Sequence, residues 1–484
     1  MSLAASVGRN TIIQFIGKVF GTLLGVITAA VIQRYLRPEG FGAYTAAMAY
    51  VSFFSVVADL GLYLILIRDI NKPGADVGKT ISTMLGLRWA SAFLVLGGSA
   101  LVVWLFPFYS VAVKQAIQIG AISFVAVAGT QLLVALFQSR MNMVWVTISE
   151  LAGRAALLIG TILVTMSHLG LQTLMLVVAG GSILNLVMLL GSARRFATIR
   201  PRVDWVAWKA ILRDALPVSI SIVLNLIYFK ADTILLSVFH KGDYAIGLYG
   251  AAYKVLEILI TFPIIFVGLL LPTLGRAHAS QDRETFLRVF QKGFEVLLLL
   301  VLPLIIGGSM LAREILVAIG KADFAPAAPV LQMLLIAVGA SYLNALSGHT
   351  ITIINRQRQM VWGYLSVALI GLLTYITLIP RFSYYGAATG TIITESLAAI
   401  IGYALILRVM KFRLWLGVVP KLMLGGGLMA VTILLLRPIE PWLALIAGGL
   451  VYVGIVFATR ALPLSILRQM VGRSEPVDVL PPSP

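Results

Sequence analysis

The chain has 484 residues, of which 60% are hydrophobic and 12% charged, and its mean hydropathy is +0.99. Soluble domains carry about a quarter of their residues as charges, so no soluble fold could hide this much apolar surface. The formal net charge of +18 is therefore informative through its distribution along the chain, not as a sign of nucleic-acid binding.

Crossing a bilayer takes roughly 20 mostly apolar residues in a helix, and fourteen runs reach that length. They lie near residues 11–33, 41–67, 82–106, 116–138, 143–166, 170–191 and 215–238, then 244–271, 293–311, 327–347, 360–380, 385–407, 416–436 and 441–459. Runs of this length exclude the short alternating strands of a membrane barrel. The N-terminal sequence MSLAASVGRN lacks the charged start and small-residue cleavage site of a signal peptide, so the first run is expected to remain in the protein. The expected fold class is an all-α polytopic membrane protein of about 14 transmembrane helices.

Loop charge gives the orientation. With the N-terminus inside, 24 of the 37 Lys and Arg fall in inner loops and tails, 8 in outer loops and 5 within spans. This bias follows the positive-inside rule and predicts both termini on the cytoplasmic side. Tryptophan placement agrees: Trp104 and Trp442 fall near outer ends, and Trp145, Trp362 and Trp415 near inner ends.

The expected organisation is an N-terminal lobe of spans 1–6 over residues 1–192, a linker over 193–214, a C-terminal lobe of spans 7–12 over 215–410, spans 13–14 over 411–460 and a cytoplasmic tail over 461–484. The linker holds Arg194, Arg195, Arg200, Arg202, Trp205, Trp208 and Arg213. It reads either as an amphipathic helix on the inner surface, its arginines against anionic headgroups and Trp205, Trp208 and Ile211 dipping into the interface, or as a plain basic connector. Across it the sequence partly repeats: Gly42, Tyr44, Ala46 and Ala47 recur as Gly247, Tyr249, Ala251 and Ala252. Two similar lobes with a site between them are common in secondary transporters. From Ser474 onward the Pro-rich end reads as disordered.

Several chemistries are absent or only imitated. His168, His240, His278 and His349 form no metal-binding spacing, so neither a metal nor another cofactor is expected. Residues 73–80, PGADVGKT, nearly spell a phosphate-binding loop, but proline stands for the first glycine and no strand precedes them. Gly425, Gly426 and Gly427 sit within a span, where glycine permits close helix packing. No outer loop is large enough to shape an aqueous catalytic site, which argues against an enzyme.

Ionisable residues inside spans are costly in lipid and are functional candidates by default. The cations are Lys18, Arg88, Arg154, Lys230 and Lys254, and the acids are Asp59, Glu150, Asp232, Glu257 and Glu395, with Glu295 near an inner end. Glu150 with Arg154, and Lys254 with Glu257, stand four and three residues apart and can neutralise each other on one helix face. The acids read as ion-coupling groups or as structural partners. Lys230 and Asp232 point to different faces. Lys18 and Arg88 have no carboxylate on their own helices, which makes them the leading candidates for an anionic substrate, with Asp59 or Glu395 as partners across helices. At 1.5 Å per residue, Lys18 and Arg88 lie about 10 Å from the inner face, and Arg154 and Lys254 near the midplane. The five cations form a graded series along which a phosphate head could pass; snorkelling of the shallow ones to inner headgroups is the competing reading.

Five segments together resemble a known family: residues 34–44, RYLRPEGFGAY; Asp59-Leu60-Gly61-Leu62 with Arg68; Tyr228-Phe229-Lys230-Ala231-Asp232; Gly247-Leu248-Tyr249 with Ala251; and Tyr385 to Glu395. In order and spacing they are similar to bacterial polysaccharide transporters of the O-antigen flippase type, within the multidrug/oligosaccharidyl-lipid/polysaccharide exporter superfamily. The resemblance implies two pseudo-symmetric six-helix lobes in a V around a central cavity, with two extra C-terminal helices. It also implies an inner-membrane flippase that moves a polyprenyl-pyrophosphate-linked oligosaccharide by alternating access without a cofactor, in contact with membrane lipids and other polysaccharide assembly proteins. Cavity-lining cations in relatives carry over to Lys18, and further to Arg88 and Lys230. Two alternatives stay open: an ion-coupled multidrug exporter of the same superfamily, with Asp59 or Glu257 as the coupling acid, and a polytopic polysaccharide polymerase or ligase.

Overall fold

The computed structural model describes residues 3–461 except 73, 75, 141, 197, 240 and 241; the side chains of residues 3–12, 15, 64 and 216–230 also lie outside the description. The Lys230 side chain, His240 and the Pro-rich end are therefore among the features not described. Among the described residues the secondary structure is helical throughout.

The first long helix, α1 (Leu3–Asp59), is two spans joined at Arg37, whose backbone leaves the helix (φ 56°, ψ −179°) just before Pro38. Pro38 has no backbone N–H to donate, so the helix loses a hydrogen bond where the break falls. A second break, at Leu60 (φ 52°) and Gly61 (φ 65°), separates α1 from α2 (Leu62–Ile70). Next come α3 (Val77–Ala92), a wide turn over Phe93–Gly97, α4 (Gly98–Val102), α5 (Val111–Ser139), α6 (Val144–Met166), α7 (Gly170–Ala193) and α8 (Trp205–Phe239). The remaining helices are α9 (Asp243–Leu259), α10 (Thr261–Ala279), α11 (Arg283–Met310), α12 (Ala312–Gly320), α13 (Ala328–Ile353), α14 (Gln357–Met410), α15 (Val419–Leu436) and α16 (Pro441–Ala458). The last of the long helices, α14, is again two spans, broken at Ser383 (φ 55°) shortly after Pro380. With these breaks counted, all fourteen apolar runs coincide with helix, and large apolar side chains such as Leu105, Met166 and Ile439 stay exposed for lipid.

The linker differs from the amphipathic-helix reading. Residues 198–204 are non-helical, and helix starts only at Trp205, continuous with α8. The segment is stitched to α3 instead: Arg202 N–H donates to the Ser82 carbonyl (3.0 Å) and Arg200 N–H to Ser82 Oγ (3.1 Å). Trp208, read as dipping into the interface, is 6% exposed and donates from Nε1 to the Thr83 carbonyl at 3.1 Å. Backbone pairing and burial of one indole against the α2, α3 and α5 core outweigh laying the segment on a surface. Trp205, by contrast, is 74% exposed.

Helix α12, in a stretch read as loop, was missed. It is capped across the chain by Arg34, whose guanidinium donates to the carbonyls of Ala318 and of Ile319 (3.0 Å). A cation at a helix C-terminus satisfies orphan carbonyls and opposes the dipole.

Contact clustering gives two compact units: Met1–Leu259 with Arg313–Ala337 and Gln357–Ile401, and Ile260–Ala312 with Val338–Arg356 and Gly402–Pro484. Within the second, Tyr452 donates to the Leu299 carbonyl (2.9 Å), and Gln291 clamps the Trp415 backbone from both its amide atoms (2.8 and 3.1 Å). The candidate site lies in the first unit.

Candidate functional site

The repeated motifs form the frame. Gly42 on α1 and Gly247 on α9 meet backbone to backbone: a Cβ on Gly42 would overlap the Asp243 carbonyl and stand 2.9 Å from Gly247 N, and one on Gly247 would overlap the Pro38 carbonyl and stand 3.0 Å from Gly42 N. The contact is reciprocal, as two copies of one motif around a local pseudo-twofold would make it. Only glycine allows such an approach. Around it Ala46, Ala47, Ala251 and Ala252 are fully buried.

Directly beside this seam lies a cavity of ≈ 330 Å³ whose wall includes Tyr44, Thr45 and Ser52 of α1, Thr233 of α8, Tyr253, Lys254 and Glu257 of α9, and Arg154 of α6. Two of the sequence's candidate cations thus share one cavity. Arg154 donates from Nε and Nη2 to Glu150 Oε1 (3.1 and 2.8 Å) and from Nη1 to the Gly21 carbonyl (2.9 Å). Lys254 Nζ donates to Glu257 Oε2 at 3.0 Å. These side chains are 42% and 43% exposed, so each is held by one carboxylate and still faces open space. Exposed ion pairs of this kind contribute little net stability and leave the cations available.

Lys18 is exposed, one helical turn before Gly21, and has no ion-pair partner among the described residues. Arg88 is elsewhere, and of the two cross-helix partners expected for it, Asp59 is the one it meets. It is 1% exposed, its Nη1 is 2.6 Å from Asp59 Oδ1, and Nη2 donates to Gln131 Oε1 at 2.7 Å. The partner was not visible along α3 because it comes across helices, from the residue on which α1 ends at the Leu60–Gly61 break.

Behind the cavity wall is a buried acid that sequence reasoning placed on a span without its surroundings. Asp232, 2% exposed, accepts from the Tyr249 hydroxyl at Oδ2 (2.6 Å) and from Thr233 N–H at Oδ1 (2.6 Å). Thr391 lies 3.2 Å from the Tyr249 hydroxyl and 3.4 Å from that of Tyr375. Glu395, one turn past Thr391 on α14, is also buried. The signal for this cluster was present: Tyr249 is the repeat's counterpart of Tyr44, and Thr391 lies in the Tyr385–Glu395 motif. Among the described residues no group of His, Asp and Glu could hold a metal ion.

The chain matches the family model "Polysaccharide biosynthesis protein" over residues 7–278. It is 25% identical over 349 residues, 69% of this chain and 67% of the relative, to the succinoglycan biosynthesis transport protein ExoT of Rhizobium meliloti. Its fold is similar to that of the lipid II flippase MurJ in an inward closed conformation, with a TM-score of 0.76 at 16% identity, covering 95% of this chain and 100% of that one. A similar match is an inward-facing multidrug resistance MATE family transporter of the MOP superfamily, with a TM-score of 0.65 at 12% identity, covering 81% of this chain and 95% of that one. With more than half its length matched by the family model, the chain belongs to the polysaccharide biosynthesis protein family, and its fold is that of multi-pass membrane transporters.

Proposed function

We propose that the protein is a flippase that moves a polyprenyl-pyrophosphate-linked oligosaccharide, an O-antigen or exopolysaccharide repeat unit, across the bacterial inner membrane by alternating access, with both termini cytoplasmic. The observation that carries this reading is that Arg154 and Lys254, on helices far apart in sequence, line one cavity. Each cation is held by a single carboxylate charge. A pyrophosphate head brings more than one charge and several acceptor oxygens, so it can displace Glu150 and Glu257 without leaving the cations unpaired. Lys18, one turn from the Arg154 contact, is the proposed first contact for the head. Asp232, buried beside the cavity-lining Thr233 and hydrogen-bonded to Tyr249, is the proposed ion-coupling acid, with Glu395 one turn beyond Thr391. Arg88 with Asp59 is a structural pair in this reading. The names of the relatives, a lipid II flippase and a succinoglycan transport protein, agree with a lipid-linked glycan as cargo, and membrane lipids and other polysaccharide assembly proteins are its proposed partners.

The drug-exporter alternative is weaker because Glu257 on the cavity wall and Glu150 beside Arg154 are each already paired with a cation, whereas cationic drugs call for an acidic wall. Gene loss separates the two readings. Build-up of a lipid-linked saccharide on the inner leaflet is the expected result, and raised sensitivity to cationic dyes without such build-up would replace the flippase reading with the exporter one.

A further inference from the structure

A second chamber of ≈ 260 Å³ lies between α5, α6 and α7, within the N-terminal half of the chain. It abuts the first cavity, because Arg154 and Leu157 line both. The α6 and α7 backbones touch in its wall: a Cβ on Gly153 would come to 2.8 Å from the Gly181 carbonyl oxygen, and one on Gly181 to 2.9 Å from that of Gly153. Since neither residue has a side chain, nothing fills the space beside the crossing.

The polar wall of this chamber mixes donors, from Arg154 and the Asn185 amide nitrogen, with acceptors from Asn185, Glu150, Thr130 and Ser182. Asn185 Oδ1 is buried with no hydrogen-bond partner. Glu150 receives both Arg154 donors on Oε1, which leaves Oε2. Thr130 and Ser182 send their hydroxyl protons to the Ala126 and Val178 carbonyls (3.0 and 3.1 Å); Ser182 Oγ also lies 2.7 Å from Ser123 Oγ, so it keeps one lone pair for a ligand while Thr130 keeps both. A buried acceptor without a donor is costly, so an apolar chain, which leaves Asn185 Oδ1 unpaired, is a poor occupant. An anion would face the Glu150 carboxylate and an unpaired amide oxygen. A cation would compete with Arg154 for a carboxylate already neutralised. The occupant that suits acceptors set beside a bound guanidinium and an amide is a neutral molecule with several hydroxyls, each able to donate and accept. At about 30 Å³ per water, the chamber has the volume of about nine waters, room for one sugar ring.

We infer that this chamber is a monosaccharide subsite, in which one sugar of the lipid-linked glycan is read by Asn185, Glu150, Thr130 and Ser182 while its pyrophosphate rests on the far side of Arg154. The inference rests on the proposed pyrophosphate seat in the first cavity and adds to it a place where the glycan is recognised.

The test compares two probes on the purified full-length protein: bare polyprenyl pyrophosphate and the same lipid carrying one hexose, titrated by intrinsic tryptophan fluorescence. Two or three hydroxyl contacts at about 1 kcal/mol each predict about 30- to 140-fold tighter binding of the hexosylated lipid. Asn185→Leu, which removes the free acceptor and puts an apolar side chain in its place, is expected to bring that ratio close to one while the bare lipid binds as before. The near-isosteric Thr130→Val, which cannot perturb packing to the same degree, is expected to lower the ratio part of the way. Full discrimination by Asn185→Leu, equal binding of both lipids by the wild type, or parallel loss of both lipids in the variants would each overturn the subsite. Binding of neither lipid by the wild type would overturn the pyrophosphate seat itself, and the subsite with it.

Discussion

At the residue scale the in-span charges sort by what surrounds them. Arg154 and Lys254 find their partners at the spacing the helix dictates, so those pairings could be read from sequence alone. Arg88 could not be placed that way, because its partner is brought by a chain break and not by helical periodicity. Its burial makes a sharp prediction. Arg88 stays charged at any accessible pH, so Asp59→Asn leaves an uncompensated guanidinium at 1% exposure. Asp59 is 23% exposed and can turn to water or take up a proton, so Arg88→Leu leaves the milder defect. Removing one partner of a buried pair costs about 3–5 kcal/mol; thermal unfolding in detergent should put Asp59→Asn at the upper end of that range and Arg88→Leu at or below the lower. The reverse order would mean that the pair is not what holds Arg88 in place.

Among the elements, the spans were legible because each is a long apolar run, and the gaps between runs at 34–40 and 381–384 hold the breaks at Arg37 and Ser383. The internal repeat was legible as a pattern of small residues but not as a contact; only the fold shows that its two copies pack against each other. The linker and α12 were misread for a common reason. Their conformations are set by partners distant in sequence, Ser82 and Thr83 for the linker and Arg34 for α12, and no local pattern records such partners. The seam supplies its own prediction. Gly42→Ala and Gly247→Ala each force a methyl into the opposing backbone, which must give way, and should destabilise by at least the 1–3 kcal/mol typical of overpacking. Gly427→Ala on α15, where a Cβ meets nothing within 4 Å, should be neutral or stabilising by about 0.5–1 kcal/mol. Melting temperatures of the three variants test this directly, and equal effects at all three positions would contradict the seam.

For the molecule as a whole, composition was enough to establish a many-span membrane protein, and ordered motifs were enough to point to its family. The shape of the site was not in the sequence, because a cavity between helices depends on how the spans are arranged. The sequence ranked Lys18 and Arg88 first and the deeper cations after them; the fold sets Arg154 and Lys254 together and Arg88 in a buried pair. The central claim is that these two cations carry a pyrophosphate-linked glycan across the bilayer. The most direct measurement is translocation of a polyprenyl-pyrophosphate-linked saccharide in vesicles holding only this protein, followed as the fraction reached by an added glycan-modifying enzyme. Charge-assisted hydrogen bonds are worth about 1.5–3 kcal/mol, so Arg154→Gln and Lys254→Gln should each slow translocation about 10- to 100-fold, and the double variant should abolish it. A double variant that folds and translocates at the wild-type rate would contradict the account.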